Sequence, residues 1–336
     1  MIKTQISIVM PVKDTEKYLG ATIESVLNQS FQNWELIAIN DDSTDNSLQV
    51  LEEYATLDSR IKVFTNPNTG LLEALRFGYS KTSGTLIHRM DSDDKMPVSK
   101  LSLMHDEWIK HGKGSVVTGG AEYFMDKAEV GDGFKRYANW LTEVSRTNSH
   151  AENIYRESVI ASNCWLAHRD DFDKIGGFEP NTFPEDYDLC FRFYQGGLKI
   201  VGLDAVLHLW RDRPDRISRN WDVYKDNRFF DLKIHYFLSI ERDSDRPLVL
   251  WGAGKNGKDL AKLILSQESN LTWVCDNEKK VGKDIYGIRM ERFKKIKDLN
   301  DPQIIIAVAS PDGQKEIEMV LESWDLIAGD DYWFFA

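Results

Sequence analysis

The sequence has very little cysteine: Cys164, Cys190 and Cys275 are the only 3 in 336 residues. They lack the close pairing that holds zinc, and their scarcity excludes a disulfide framework and fits a reducing compartment. Long apolar runs are also missing. No stretch approaches the roughly 20 apolar residues of a bilayer span. The amino-terminal run from Met1 to Met10 is too short for a secretory leader before Pro11, Lys13 and Asp14 interrupt it. A third absence is positive charge. At a net charge of -12 the chain is not expected to bind nucleic acid or anionic membrane in general, although a local basic pocket for phosphates is compatible with it. There is no internal repeat and no low-complexity tract. A soluble, cytoplasmic protein is expected.

What is present is enough apolar surface for more than one core. Hydrophobic residues make up 42% of the chain, and at roughly 100–200 residues per domain two domains are expected. From Gln5 the sequence alternates in kind: a β-branched run to Val12, then Leu19, Ile23, Val26 and Leu27 at helical spacing, then a second run, Trp34 to Asn40. Turn and cap residues Asp41 to Ser47 lead into a helix to Ala55. A strand over 61–65, a turn over 66–70 and a helix over 71–80 follow. This alternation predicts a mostly parallel sheet covered on both faces, with ligand groups at the carboxyl ends of its strands.

The fourth strand, Thr85-Leu-Ile-His-Arg-Met-Asp91-Ser-Asp93-Asp94, ends in carboxylates. Because side chains alternate along a strand, Asp91 and Asp93 fall on one face, where two oxygen donors can share a hard divalent cation, Mg²⁺ or Mn²⁺. The alternative is a solvated acidic turn. A helix over 98–111 and a strand near 115–118 come next. The stretch from there to about Ser158 is less regular and carries Tyr123, Phe124, Phe134, Tyr137 and Trp140 without clear period. It reads either as an acceptor-side flap or as a small helical insertion packing its aromatics on the core. Further on, Gly176-Gly177 and two prolines precede Glu185 and Asp186 at a helix start. Acids there suit the helix dipole, and a carboxylate held at such a mouth also suits a general base that removes a hydroxyl proton.

Taken in order, Ile8-Val-Met-Pro-Val12, Asn40-Asp41-Asp-Ser-Thr-Asp45, Asn68-Thr-Gly-Leu, Met90-Asp-Ser-Asp-Asp94, Gly176-Gly-Phe and Glu185-Asp186-Tyr-Asp-Leu resemble the motifs of family 2 glycosyltransferases. The resemblance covers about Gln5 to Ser218. It implies a GT-A fold and inverting transfer of a sugar from a nucleotide diphosphate sugar to an acceptor hydroxyl of a glycan or another molecule, in surface polysaccharide or glycoconjugate synthesis. It also implies that Asp41 binds the nucleotide base, that Asp91 and Asp93 form the metal-binding DxD, and that Asp186 is the catalytic base. Pro11, Val12, Asp14 and Arg76 are further candidates for the donor. Asp91, Glu185, Arg211 and Arg213 complete that set. Two positions depart from the family pattern: Asp42 stands where Gly is usual, and Arg213 where a metal-binding His is usual. A guanidinium is no metal ligand. Either His208 or water completes the coordination, or Arg211, Arg213 and Arg216 carry more of the diphosphate charge. The alternative for these arginines is surface ion pairing in an acidic protein.

An aromatic-rich helix from about Asn220 to Ile240 and a charged break to Pro247 separate a second unit. There Leu248-Val-Leu-Trp-Gly252-Ala-Gly254-Lys-Asn-Gly257 runs a strand into GxGxxG, and Asp276 ends the next strand nearly twenty residues on, the spacing of a dinucleotide fingerprint. The expected division is 1–219, a helical linker over 220–246, and a Rossmann-like domain over 247–336. Gly252, Gly254, Gly257 and Asp276 are candidates for a nucleotide or NAD, or the glycines serve only the turn and helix packing. The unit resembles nucleotide-binding-like modules of sugar-modifying enzymes such as the front part of sugar acyltransferases. Competing functions are an NAD-linked sugar-modifying oxidoreductase, a sugar nucleotidyltransferase and a non-catalytic nucleotide-sugar binder. About 95 residues leave the first little room for a substrate domain. The second lacks a Gly- and Arg-rich loop after the first strand, and the third would not need both Asp93 and Asp186.

Overall fold

The computed structural model describes residues 5–126, 130–213 and 228–336. The chain divides into two compact units, Met1–Ser149 with Val159–Trp221, and His150–Ser158 with Asp222–Ala336. Arg216 and the first part of the expected linker helix lie outside the described residues.

In the first unit the elements are β1 (Ile6–Val12), α1 (Glu16–Leu27), β2 (Trp34–Asn40), α2 (Ser47–Leu57), β3 (Ile61–Thr65), α3 (Leu71–Ser80), β4 (Leu86–Arg89), α4 (Lys100–His111), β5 (Ser115–Phe124), α5 (Asp132–Thr147), β6 (Trp165–His168), α7 (Arg169–Lys174), α8 (Glu185–Gln195) and β7 (Lys199–Arg211). The short helix α6 (His150–Asn153) belongs to the second unit. One mixed sheet in the order β3-β2-β1-β4-β6-β5-β7 spans the first unit. Strands β1 to β4 are parallel neighbours, β6 runs against both β4 and β5, and β5 pairs in parallel with β7. All seven residues of β2 are buried, as expected of a strand covered on both faces. Helix α1 meets the sheet with Leu19, Ile23 and Val26, its apolar stripe.

The irregular aromatic stretch resolves into regular structure. Strand β5 continues to Phe124, and α5 packs on it, with Tyr123, Tyr137 and Trp210 in ring contact and Tyr137 stacked on Trp140. Tyr123, Tyr137 and Trp140 are half-buried and pack against the core of the first unit, as expected of a helical insertion.

The second unit holds α9 (Phe230–Ile240), β8 (Leu248–Trp251), α10 (Lys255–Leu265), β9 (Thr272–Cys275), the hairpin β10 (Asp284–Ile285) and β11 (Ile288–Arg289), β12 (Glu291–Arg292), a 3₁₀ turn (Phe293–Asp298), β13 (Gln303–Ile306), α11 (Pro311–Glu322) and β14 (Tyr332–Phe334). Its sheet, β12-β9-β8-β13-β14, is parallel throughout. The excursion His150–Ser158 is part of this unit's interior. Tyr155 stacks on Phe335 at 5.1 Å, and Lys233 Nζ donates to the carbonyls of Arg156 (2.9 Å) and Phe335 (3.2 Å).

Candidate active site

The carboxyl ends of β1 and β2 are tied together by their own backbone. The Asp41 amide donates to the Val12 carbonyl at 2.8 Å, so Val12, whose side chain is buried, supports Asp41 through its main chain. The Asp41 carboxylate is buried and accepts from Asn66 Nδ2 (2.7 Å) and the Gly70 amide (2.9 Å). Gly70 has φ +111°, a backbone that glycine adopts without strain, and this lets the turn before α3 aim its N–H at the carboxylate. Asp42 adopts φ 56°, a left-handed backbone that an aspartate tolerates. Asp14, exposed beside half-buried Pro11, accepts from the Thr44 amide at 2.7 Å and pins this loop.

Strand β4 ends at Arg89, so Asp91 and Asp93 stand on the turn beyond it and strand alternation does not set their side chains; a residue not singled out in the sequence organises the site. Arg89, 4% exposed, donates through Nε to Asp91 Oδ1 (3.1 Å) and through Nη1 to Glu185 Oε1 (3.0 Å). Burial alone would lower its pKa, but the charges of Asp91, Glu185 and Asp186 outweigh that and keep it protonated. Thus the turn carrying Asp91 and the helix carrying the acid pair, far apart in sequence, meet on one guanidinium. The signal was an arginine two places before Asp91 at the end of a fully buried strand.

Asp93 accepts from Arg213 Nε at 2.9 Å. Burial, with Asp94 and Asp91 alongside, pushes its carboxyl up to about 6, while Arg213 pulls the other way. Asp94 faces inward. Its oxygens take His208 Nε2 (3.0 Å), Asn163 Nδ2 (3.1 Å) and the Arg211 amide (2.7 Å). Lys100, fully buried and lowered to about 8 by that burial, lies 3.1 Å from His208 Nδ1 and donates to the Asn163 carbonyl. Both ring nitrogens of His208 are engaged, so His208 is not a further metal ligand. Arg211 is likewise committed: Nε donates to the Asp93 carbonyl (2.7 Å), Nη1 to Asp126, and the guanidinium packs on Tyr18 and Phe124. Its expected place on the donor is taken by these contacts.

The acid pair opens α8. Glu185 is buried, and its Oε2 has no hydrogen-bond partner among the described residues. Burial, then neighbouring Glu185, pushes the half-buried Asp186 carboxyl up to about 7 against the pull of Arg89. The loop ahead of the pair is held from two sides. Arg192, paired with Asp188, donates to the carbonyls of Ile175 and Gly177 at 2.9 Å each. Arg76 donates to the carbonyls of Phe178 (2.9 Å) and Glu179 (2.6 Å) and to Asn181 Oδ1 (2.5 Å). Arg76, expected on the donor, is instead a brace for the loop that delivers Glu185 and Asp186.

Among the described residues no group of three His, Cys, Asp or Glu side chains is arranged to hold a metal by itself. Asp91 and Asp93 nevertheless fit a hard divalent cation that takes its remaining ligands from phosphate and water, the usual manner of Mg²⁺ in phosphate-binding sites. Burial, and then the charges of Asp94 and Asp91, raise the Asp93 carboxyl, and a bound cation would offset that repulsion.

In the second unit Gly257 is required by packing, since a Cβ there would lie 2.0 Å from the Gly252 carbonyl oxygen, and Gly252 itself has φ +130°. Gly254 is different: a Cβ would meet nothing within 4 Å. The Gly252 carbonyl accepts from Trp273 Nε1 (2.7 Å) and that of Ala253 from Lys280 Nζ. Asp276 is exposed at the rim of a cleft of about 250 Å³ shared with Arg292, Phe293 and Lys294.

Comparison with known proteins adds the following. A model of the family described as glycosyl transferase family 2 matches residues 7–176, half of the chain. Glycosyltransferase GlyA of Streptococcus pneumoniae is 25% identical over 66% of this chain, and the match spans 32% of GlyA's own length. The Escherichia coli UDP-Glc:alpha-D-GlcNAc-diphosphoundecaprenol beta-1,3-glucosyltransferase WfgD is 35% identical over 38% of this chain and 49% of its own. Among solved structures, S. aureus TarS in complex with UDP-GlcNAc superposes with a TM-score of 0.54 at 16% identity, covering 77% of this chain and 71% of that one, a likeness of fold.

Proposed function

Because the chain belongs to glycosyl transferase family 2, we propose that it transfers a sugar from a nucleoside diphosphate sugar to an acceptor hydroxyl, with inversion, in the synthesis of a surface polysaccharide or glycoconjugate. One observation supports the reading: Arg89 joins Asp91, just past the end of β4, to Glu185 at the mouth of α8, which brings the residues assigned here to the donor phosphates and to the base close together. In this reading Asp41, fixed by Asn66 and Gly70, holds the nucleotide base. Asp91 and Asp93 would hold Mg²⁺ or Mn²⁺, which when bound supplies Lewis-acid stabilisation of the charge on the leaving diphosphate. Asp186 accepts the acceptor proton as the hydroxyl oxygen bonds to the anomeric carbon, and the bond from that carbon to the diphosphate breaks on the opposite face. A carboxyl raised toward neutrality is well matched to this proton transfer. Glu185 Oε2, buried and without a partner among the described residues, is placed to accept from a substrate hydroxyl.

Among the described residues no helix is long and apolar enough to cross a membrane. A separate reading gives the second unit a nucleotide or NAD, supported by the open space at Gly254 and by a cleft that Asp276 helps to line.

The main reading is tested by incubating the protein with a panel of UDP-, GDP- and dTDP-sugars, with Mn²⁺ or with EDTA, and measuring free nucleoside diphosphate. Slow hydrolysis of one donor, dependent on the metal, is expected. No release from any donor, with or without acceptor polysaccharide, would overturn it.

A further inference from the structure

Arg211 and Arg213 sit two residues apart and have unlike tasks. The main chain at 211 is anchored by Asp94, and the Arg211 guanidinium is enclosed by Tyr18, Phe124, Asp126 and the Asp93 carbonyl. Arg213 instead reaches the Asp93 carboxylate itself, with Nε 2.9 Å from Oδ2 and the guanidinium 5.5 Å from the Tyr18 ring centre. The two side chains are 15% and 14% exposed, so the pair stands at the cleft and is only partly screened by water.

We propose that Arg213 is a built-in counter-ion for Asp93, holding that carboxylate where a divalent cation would otherwise bind and yielding it when a nucleoside diphosphate arrives. The inference rests on the metal-dependent reading above. Its physical basis is competition. A guanidinium hydrogen-bonded to Asp93 and a divalent ion on the same carboxylate repel each other at close range. A diphosphate resolves the conflict from both sides: its oxygens match the guanidinium fork, and they complete the oxygen shell that two aspartates leave unfilled. Nucleotide and cation then bind with positive coupling, which is reciprocal by linkage. The usual histidine at this position would add a ligand; the arginine makes metal entry conditional.

The test titrates Mn²⁺ into the full chain, reading free ion by its electron paramagnetic resonance signal, with and without UDP or GDP. For the wild type, weak binding is expected alone and binding at least about tenfold tighter with the diphosphate, the order of a lost charged hydrogen bond. Arg213→Met should bind Mn²⁺ tightly without nucleotide and gain little from it, while Arg213→Lys should stay close to the wild type and serve if the methionine variant does not fold. Asp93→Asn should abolish binding in every background, and Mn²⁺ retained in that variant would place the ion elsewhere and overturn the proposal. Equal Mn²⁺ affinity of wild type and Arg213→Met without nucleotide, when both bind with it, would sink the counter-ion role alone. Absence of binding in all proteins even with UDP or GDP would instead remove the metal reading itself.

Discussion

The two units use the same device, a Gly-containing or acidic turn at the carboxyl end of a parallel strand, to different degrees. In the first, every acidic side chain at the end of β4 is engaged by a basic or amide group: Asp91 by its neighbour Arg89, which is itself tied to remote Glu185, and Asp93 by Arg213 and Asp94 by His208 and Asn163, all brought from far along the chain. In the second, the strand ends carry a glycine with open space around it and an exposed aspartate. The comparison teaches that a sequence fingerprint marks a turn, whereas a site is made by convergence of groups that the fingerprint does not contain.

The largest expected effect sharpens this contrast. Asp186→Asn should lower transfer by about 10²–10⁴, the usual worth of a general base, with donor affinity near that of the wild type in a nucleotide-sugar binding assay. The raised Asp186 carboxyl gives a sign to the pH dependence. The base works ionised, so kcat/KM should fall as pH drops through about 7, and the asparagine variant should lose that limb. Arg89→Met should destabilise the first unit by about 3–5 kcal/mol in denaturant unfolding, because Glu185 is left buried without its counter-charge. Adding Glu185→Gln to that variant should recover part of the loss, and no recovery would break the account of the site as a shared ion network. In the second unit Gly257→Ala should cost about 1–3 kcal/mol through overpacking against Gly252, read as a lower melting temperature. Gly254→Ala, at φ -78°, should stay within about 1 kcal/mol of the wild type. If nucleotide or NAD shifts the melting of the wild type but not of that variant, the second unit gains a site and the contrast narrows.

The parts of the fold that repeat a local pattern were legible. The helical stripe of α1 marked its buried face, and a buried strand ahead of the acids was found, but it stops at Arg89 and the turn beyond it carries Asp91 and Asp93. What was not legible depended on partners remote in sequence. Arg89 in a buried strand has no visible purpose until Glu185 is placed beside it. His208 could face either side of β7, whose pairing with β5 shifts register around Gly119–Ala121, so a count of parity along that strand fails. Arg76 read as a candidate for the donor because its carbonyl and amide acceptors, at Phe178, Glu179, Pro180 and Asn181, come from a loop about a hundred residues later.

The excursion His150–Ser158 imposes an order on synthesis. Tyr155 leaves the ribosome long before Phe335, the ring it stacks on, and some 180 residues must be added before that apolar face is covered. A chain cut after the catalytic half would keep Tyr155 and lose its cover, so the two halves of this polypeptide are not interchangeable cassettes that can be separated at a single peptide bond.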